Sequence, residues 1–337
     1  MIALDRRLCV APMMDWTDRH CRFLHRLFAP HALLYTEMIV AAALVRGDAW
    51  RLLEHDAAEH PVALQLGGSD PAELAAAARI GAAAGYAEIN LNVGCPSDRV
   101  RNGSFGACLM LRRELVAECV VAMRDAVDVP VTVKCRIGID ARDDYGFFAD
   151  FVAAVAEAGV AALIVHARTA ILGGLSPKEN REIPPLRYEY VLRLKRERPE
   201  LPVVLNGGLA DFATIRSLWD GAAPGCPMPV RADGAMLGRA AYHQPRLLAE
   251  LERAWIDPLW VVPEAADIIG RIVPYAEAQA DAGVRLHAIT RHMHGLMHGR
   301  EGARAWRRFL SEVAARPDAG PETLLAALPM LALPRAA

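Results

Sequence analysis

Tyr86-Ala87-Glu88-Ile89-Asn90-Leu91, running on into Asn92-Val93-Gly94-Cys95-Pro96, is the stretch that decides the fold. Residues 86–91 read as a buried strand. Gly94 lets the backbone bend after it, and Pro96 stops the strand from continuing. The thiol of Cys95 then falls at the carboxyl end of a parallel strand, the rim on which α/β proteins carry their chemistry. Asn90 and Asn92 alternate with Leu91, so both amides point to the side that Cys95 faces. A cysteine in a strand-to-helix turn is more often structural than reactive. Two flanking asparagines and the Gly-Cys-Pro turn make this one a candidate for chemistry.

Outward from that strand the same pattern repeats. Short β-rich runs alternate with longer Ala/Leu/Arg-rich helical stretches up to about residue 245. The expected strands are 8–11, 33–39, 62–66, 86–91, 129–134, 162–166, 203–205 and 234–237. Helices are expected over 71–84, 114–127, 145–157 and 188–198. Roughly eight β/α units in under about 250 residues predict a TIM (β/α)8 barrel. An open doubly wound sheet is disfavoured because no Gly-x-Gly-x-x-Gly follows the first strand. Beyond residue 250 the pattern turns helical over 263–282, 287–298 and 303–315. The expected organisation is a barrel over 1–248, a small helical domain over 249–316 and a Pro- and Ala-rich tail over 317–337. Residues 221–233, with Cys226, read as a loop insertion before the last strand.

Composition narrows the class. The chain has 337 residues, 53% hydrophobic and 23% charged, which is ordinary for a soluble folded protein. No apolar run approaches the roughly 18 residues needed to span a membrane. Residues 1–7 lead straight into a strand, without a signal-peptide core. Seven cysteines, an odd number with no Cys-x-x-Cys pair, argue against a disulfide framework or a zinc ribbon and for a reducing cytoplasm. The net charge of −2 gives no global attraction to nucleic acid. Locally, however, Arg291, Arg300, Arg304, Arg307 and Arg308 face one acid, Glu301, with His292, His294 and His298 among them. Gly295 stands where a metalloprotease helix has its Glu, so a basic face is the better reading than a metal site. Trp306 fits either a stacking surface or a core position.

The strand ends carry the candidate chemistry. Asn206-Gly207-Gly208 follows the seventh strand and Gly238-Arg239 the eighth, where TIM barrels often bind phosphate. Lys134, at the end of the fifth strand, suits the negative charge of a reduced flavin ring. Gln65 offers donor and acceptor together for a pyrimidine edge. Pro12-Met13-Met14 can support a ring, and His166 lies on one face with Arg168. Reduction of an activated C=C bond needs hydride at one carbon and a proton at the other. A thiol at its reference pKa of about 8.5 is mostly protonated at pH 7, so Cys95 is a ready acid.

Several segments resemble the tRNA-dihydrouridine synthases, and among them the bacterial A-type enzymes acting at D-loop positions 20 and 20a. They are residues 11–19 (APMMDWTDR), 34–38 (LYTEM), 65–68 (QLGG), 88–108, 173–181 (GGLSPKENR) and 289–293 (ITRHM). The resemblance spans roughly residues 8–312. It implies an FMN-binding TIM barrel followed by a helical domain that holds tRNA. It places FMN on Pro12, Met13, Met14, Gln65, Lys134, His166, Asn206, Gly207, Gly208, Gly238 and Arg239. It makes Cys95 the proton donor and lays Asn92 against the tRNA. With the basic residues it suggests tRNA contacts at Lys178, Arg181, Arg291, Arg304 and Arg307. The expected reaction runs from NADPH to FMN, then as hydride from N5 to C6 of uracil with a proton from Cys95 to C5, in a cytoplasmic monomer. The alternatives are an FMN barrel acting on a free pyrimidine, like the dihydroorotate dehydrogenases, and an inactive RNA-binding barrel.

Overall fold

A computed structural model describes residues 4–97, 103–221 and 230–331. Most of the expected insertion at 221–233, with Cys226, and residues 332–337 of the tail lie outside the described residues. Eight parallel strands close on themselves in sequence order: β1 (Leu8–Val10), β2 (Leu33–Val40), β3 (Val62–Gly67), β4 (Glu88–Val93), β5 (Val131–Arg136), β6 (Ala162–His166), β7 (Val203–Asn206) and β8 (Gly234–Leu237). Closure is made by β1 against β8, with Leu8 opposite Ala235 and Val10 opposite Leu237. The chain folds as the expected TIM barrel.

Alternation along each strand sorts the residues. Leu64, Leu66, Ile89, Leu91, Val131 and Val133 are fully buried and occupy the outward set, where a barrel receives its helices. The inward set divides in two. Cys9, Ala11, Leu33, Tyr35, Ala63, Ile164, Val204 and Met236 form one apolar cluster. The other group is polar and includes Gln65, Glu88, Asn90, Asn92 and Thr132 on β3, β4 and β5, all buried. Aspartates start three of the connecting helices. Asp70 caps Pro71–Ala83, Asp144 caps Tyr145–Glu157 and Asp211 caps Phe212–Trp219, each through a side-chain oxygen on a first-turn N–H.

The strand expected over 86–91 runs instead from Glu88 to Val93. Asn92 therefore lies within the strand and only Gly94 begins the turn. Polar side chains looked like a strand ending, but a barrel interior accepts them when they hydrogen-bond to one another.

The chain divides into two compact units: Met1–Met14 with Ala32–Gly238, and Asp15–His31 with Arg239–Ala337. The first is the barrel. The second is built of helices, including Arg19–Phe28, Arg239–His243, Arg246–Trp255, Ala265–Asp281 and Ala303–Glu312. Within it Phe23 stacks on Tyr275 at 3.8 Å and Trp260 Nε1 donates to the Phe28 carbonyl at 3.0 Å. This division differs from the sequence-derived boundaries, which kept residues 15–31 and 239–248 with the barrel. The tail also differs from expectation, because residues 322–326 and 328–331 are helical and bury Leu324 and Ala327. The helix expected over 287–298 is broken: Leu286–Thr290 ends, and a single 3-10 turn follows at Met293–Gly295. Gly295 approaches the backbone closely there, since a Cβ on it would lie 2.6 Å from the His243 carbonyl oxygen. His294 and His298 thus lack the helical spacing that their numbers suggested. Among the described residues no helix is long and apolar enough to cross a membrane.

Candidate active site

At the carboxyl end of β4, Asn92 Oδ1 accepts the backbone N–H groups of Gly94 at 3.1 Å and Cys95 at 3.0 Å. The turn is thereby fixed by a side chain from the strand it follows, an Asx-type device. Cys95 is partly exposed, with Sγ 3.5 Å from Ser97 Oγ, and its carbonyl accepts the Ala107 N–H at 2.9 Å. Arg136 holds the turn from the other side. Its Nε donates to the Gly94 carbonyl at 3.0 Å, and its Nη1 donates to the carbonyls of Thr169 and Asn180 at 3.0 and 2.9 Å. Burial lowers the Arg136 pKa to about 10, with Arg181 and Arg168 adding repulsion and Cys95 opposing it.

Lys134 lies next to this turn on β5, partly exposed, and donates from Nζ to Asn206 Oδ1 at 3.1 Å. Asn206 Nδ2 in turn donates to the Met236 carbonyl at 2.7 Å, so β5, β7 and β8 are linked through two side chains. Burial, then Arg136, lower the Lys134 pKa to about 8. His166 is held neutral, its pKa pushed well below the usual value by burial and by the cations Arg136, Lys134, Arg168 and Arg181. Arg168 itself turns to the loop after β6, donating to the Glu182 and Pro184 carbonyls.

Gly207 has φ 108°, and a Cβ there would lie 2.4 Å from His166 Cδ2, so only glycine brings the backbone this close to the imidazole. Among the described residues no acceptor is seen for the N–H groups of Gly207, Gly208 and Gly238. Three such amides after strands seven and eight suit a phosphate. Met13 lies beside Gly238, with Sδ 3.7 Å from where its Cβ would be, while Met14 is 57% exposed. Arg239, next in the chain, opens the helix Arg239–His243. Gln65 donates from Nε2 to Asn90 Oδ1 at 2.7 Å and accepts at Oε1 from Asn92 Nδ2 at 2.8 Å. One amide hydrogen and one lone pair remain on Gln65. An unpaired-amide cradle, an adjacent lysine and a half-used amide together fit a phosphorylated flavin.

The residues proposed for tRNA divide. Lys178 and Arg181 are exposed on the loop after β6, anchored by buried Asn180, whose Nδ2 donates to the Ile171 carbonyl at 2.8 Å. Asn92, in contrast, is 9% exposed and its amide is engaged by the Cys95 turn and Gln65. In the helical unit Arg304 and Arg307 are exposed and make no side-chain hydrogen bond or ion pair among the described residues. Arg291 is committed internally, donating to Asp18 Oδ2 at 2.8 Å and the Asp15 carbonyl at 3.0 Å. Buried His292 shares the Asp18 carboxylate at 3.0 Å. Arg300 pairs with Glu264, and Arg308 with Glu312. Trp306 is fully buried and donates to the Met293 carbonyl at 2.8 Å, so it is a core residue. Sequence reasoning missed the work of Arg136 and Asn180. The signal for Arg136 was its inward position two residues after Lys134.

A TIM barrel with a thiol, a lysine and three glycine amides on its rim has the make-up expected of a flavin-dependent barrel oxidoreductase. The chain belongs to the dihydrouridine synthase family, whose model, described as Dihydrouridine synthase (Dus), matches residues 9–331. Three relatives carry the name tRNA-dihydrouridine(20/20a) synthase. The protein of Xanthomonas campestris pv. campestris is 58% identical over 317 residues, covering 93% of this chain and 90% of the relative. That of Pseudomonas putida is 54% identical over 307 residues, covering 91% and 88%. That of Yersinia pestis is 50% identical over 327 residues, covering 97% and 92%. Enzymes of this family are flavin-dependent oxidoreductases that reduce uridine in tRNA.

Proposed function

We propose that this chain reduces uridines 20 and 20a of the tRNA D-loop to 5,6-dihydrouridine, with FMN as its bound flavin, NADPH as reductant and Cys95 as the acid. The observation that carries the reading is the partly exposed Cys95 thiol, held at the barrel rim by Asn92 beside Lys134. Names of relatives matching over more than nine-tenths of the chain support the positions.

Bound flavin would supply hydride to C6 of the uracil. Cys95 Sγ then delivers its proton to C5, and the thiolate regains a proton from solvent, so the C5=C6 bond gains two hydrogens. Asn92 and Arg136 keep that thiol at a fixed place by holding the backbone on both sides of Gly94. Lys134 offers positive charge to the ring, and Gln65 its remaining N–H and lone pair to the pyrimidine edge. The amides of Gly207, Gly208 and Gly238, with Arg239, would take the phosphate, and Pro12 and Met13 the ring. His166 is neutral, so it contributes a neutral hydrogen bond rather than charge. A target base must leave the tRNA stack to reach the rim, at the expense of a few kcal/mol. Lys178 and Arg181 on the barrel would neutralise tRNA phosphates, as would Arg304 and Arg307 on the helical unit.

The same reading has the enzyme act in the cytoplasm, where bacterial tRNA is modified. The test is mass mapping of dihydrouridine in tRNA from cells with and without the gene. Loss at 20 and 20a alone is expected; unchanged tRNA, or loss at other positions, overturns the assignment.

A further inference from the structure

The buried polar groups of the barrel form one continuous chain from its amino end to Cys95. At the base Glu88, fully buried, pairs with Arg6: Arg6 Nε donates to Oε2 at 2.8 Å. Tyr35 and Thr132 both donate their hydroxyl hydrogens to Glu88 Oε1 at 2.6 Å. Asn90 Nδ2 donates to Thr132 Oγ1 at 2.9 Å. Gln65 Nε2 donates to Asn90 Oδ1 at 2.7 Å, and Asn92 Nδ2 to Gln65 Oε1 at 2.8 Å. Asn92 Oδ1 is left for the N–H groups of Gly94 and Cys95.

The sense of every link follows from the first. A carboxylate paired with a guanidinium only accepts, so Thr132 must use its single hydrogen on Glu88. Toward Asn90 it can then only accept, and Asn90 must turn its NH2 group to Thr132. That leaves Asn90 Oδ1 for Gln65, which must offer Nε2 and keep Oε1 for Asn92. Asn92 must therefore offer Nδ2 and keep Oδ1 for the turn. A side-chain amide has nearly the same shape when flipped, so packing alone does not choose between the two senses. With the opposite sense, Asn92 would face two backbone N–H donors with its own NH2 group, and the turn would lose both bonds.

Resting on the reading of Cys95 as the acid, we infer that Glu88 and Thr132 are positioning residues for Cys95. Through the amides of Asn90, Gln65 and Asn92 they set the direction of the hydrogen bonds that hold the Gly94–Cys95 turn. The control spans four residues of β4, about 13 Å at strand rise, and needs no group on the rim. Such cooperative chains act as a unit, so breaking one link is felt at the far end.

Three substitutions test this. Thr132→Val keeps the shape and removes the hydroxyl, whereas Thr132→Ser keeps the hydroxyl. Glu88→Gln is isosteric, but Arg6 retains the one oxygen, so the new NH2 group turns to Thr132 and drives the chain in the opposite sense. Two readouts apply: kcat and KM on tRNA, and the alkylation rate of Cys95 by iodoacetamide, followed on its own peptide by mass spectrometry. Thr132→Val and Glu88→Gln are expected to lower kcat about 10- to 100-fold with KM for tRNA unchanged, the loss typical of an ångström-scale misplacement. Both should change Cys95 alkylation severalfold, and Thr132→Ser should match the wild type in both readouts. Normal kcat and alkylation in Glu88→Gln and Thr132→Val overturn the inference, as does a Thr132→Ser loss equal to that of Thr132→Val. If Thr132→Val does not fold, Glu88→Gln and Thr132→Ser decide. Cys95→Ala separates the two claims. An active Cys95→Ala enzyme removes the acid assignment, whereas an inactive one beside normal Glu88→Gln removes only the relay.

Discussion

Asn92 Oδ1 lies 3.0 Å from the backbone nitrogen of Cys95, so the last inward-facing residue of β4 also fixes the residue that would carry the proton. The thiol is ordered by the barrel itself. Ligand binding then has less to organise, and the contributions of Cys95 and of its support can be measured apart.

Cys95→Ala should leave flavin content and NADPH-driven flavin reduction unchanged while lowering uridine reduction by about 10²- to 10⁴-fold, the usual contribution of a positioned acid. Single-turnover oxidation of the pre-reduced enzyme by tRNA gives the number directly. A rate within tenfold of wild type would remove Cys95 from the role.

Lys134→Met should act in opposite directions on stability and function. The folded pKa, about 8, lies below the ordinary 10.5, so the unfolded chain holds an extra proton between those values. Stability therefore rises with pH from about 8 to 10.5, and below 8 the burial penalty is present in full. Removing the cation should raise stability at pH 7 by about 1 kcal/mol, a shift of a few degrees in Tm. Flavin reduction should slow at the same time. In the wild type the same charge is lost as pH rises through about 8, so flavin reduction should decline there and Lys134→Met should lack that step. A lower Tm with an unchanged flavin rate would contradict both halves.

Arg304→Ala combined with Arg307→Ala should weaken tRNA binding and flatten its salt dependence by roughly 0.7 to 0.9 log–log units for each phosphate no longer neutralised. NADPH oxidation without tRNA should not change. Arg291→Ala should differ in kind. It removes the pair with Asp18 and the bond to the Asp15 carbonyl, so about 1 kcal/mol of stability should go before any tRNA effect is seen. Equal salt slopes for wild type and the Arg304/Arg307 variant would leave those arginines as solvated helix surface.

The helical unit should be sensitive to mild acid. Burial, with repulsion from Arg19, His292 and Arg291, lowers His20 to about 4 against the opposing pull of Asp18; burial, with His292 and Arg26, lowers His25 to about 3. Both folded values lie below the ordinary 6.5, so the unfolded state binds two more protons through the interval. Stability then falls as pH drops from about 6.5 toward 4, at up to about 2.7 kcal/mol per pH unit. His25→Leu should remove about half of that slope in denaturant titrations across pH 4 to 6.5. An unchanged slope would show that other groups govern the acid transition.

The barrel was legible because its strands are apolar runs at regular intervals, and six of the eight begin within one residue of expectation. β4 and β5 are the exceptions, each displaced by two residues. In β4 the reading took Asn92 for the start of the turn, because hydropathy cannot tell a polar strand interior from a loop. The rim residues Cys95, Lys134 and Asn206 could be named from their places at or just past strand ends. Their couplings could not, since Lys134 to Asn206 and Asn92 to Gln65 join side chains on different strands, which no local pattern pairs. The arginines of residues 291–308 show the opposite limit. They look alike in one dimension, yet Arg291, Arg300 and Arg308 have acidic partners while Arg304 and Arg307 face solvent. A charge cluster in sequence does not reveal which charges are already neutralised.

The helical unit is made from two separated pieces, Asp15–His31 and everything after Gly238. During synthesis the first piece leaves the ribosome early, and the buried face of Arg19–Phe28, with Leu24, His25 and Phe28, must wait for partners not yet translated. Phe23 meets Tyr275, and the Phe28 carbonyl meets Trp260, only once nearly the whole chain exists. The barrel stretch 32–238 can emerge complete in that interval, so the first helix to be made is among the last to be covered. A chain truncated before residue 246 would carry that early helix without its cover, making it a natural point for quality control to recognise unfinished copies.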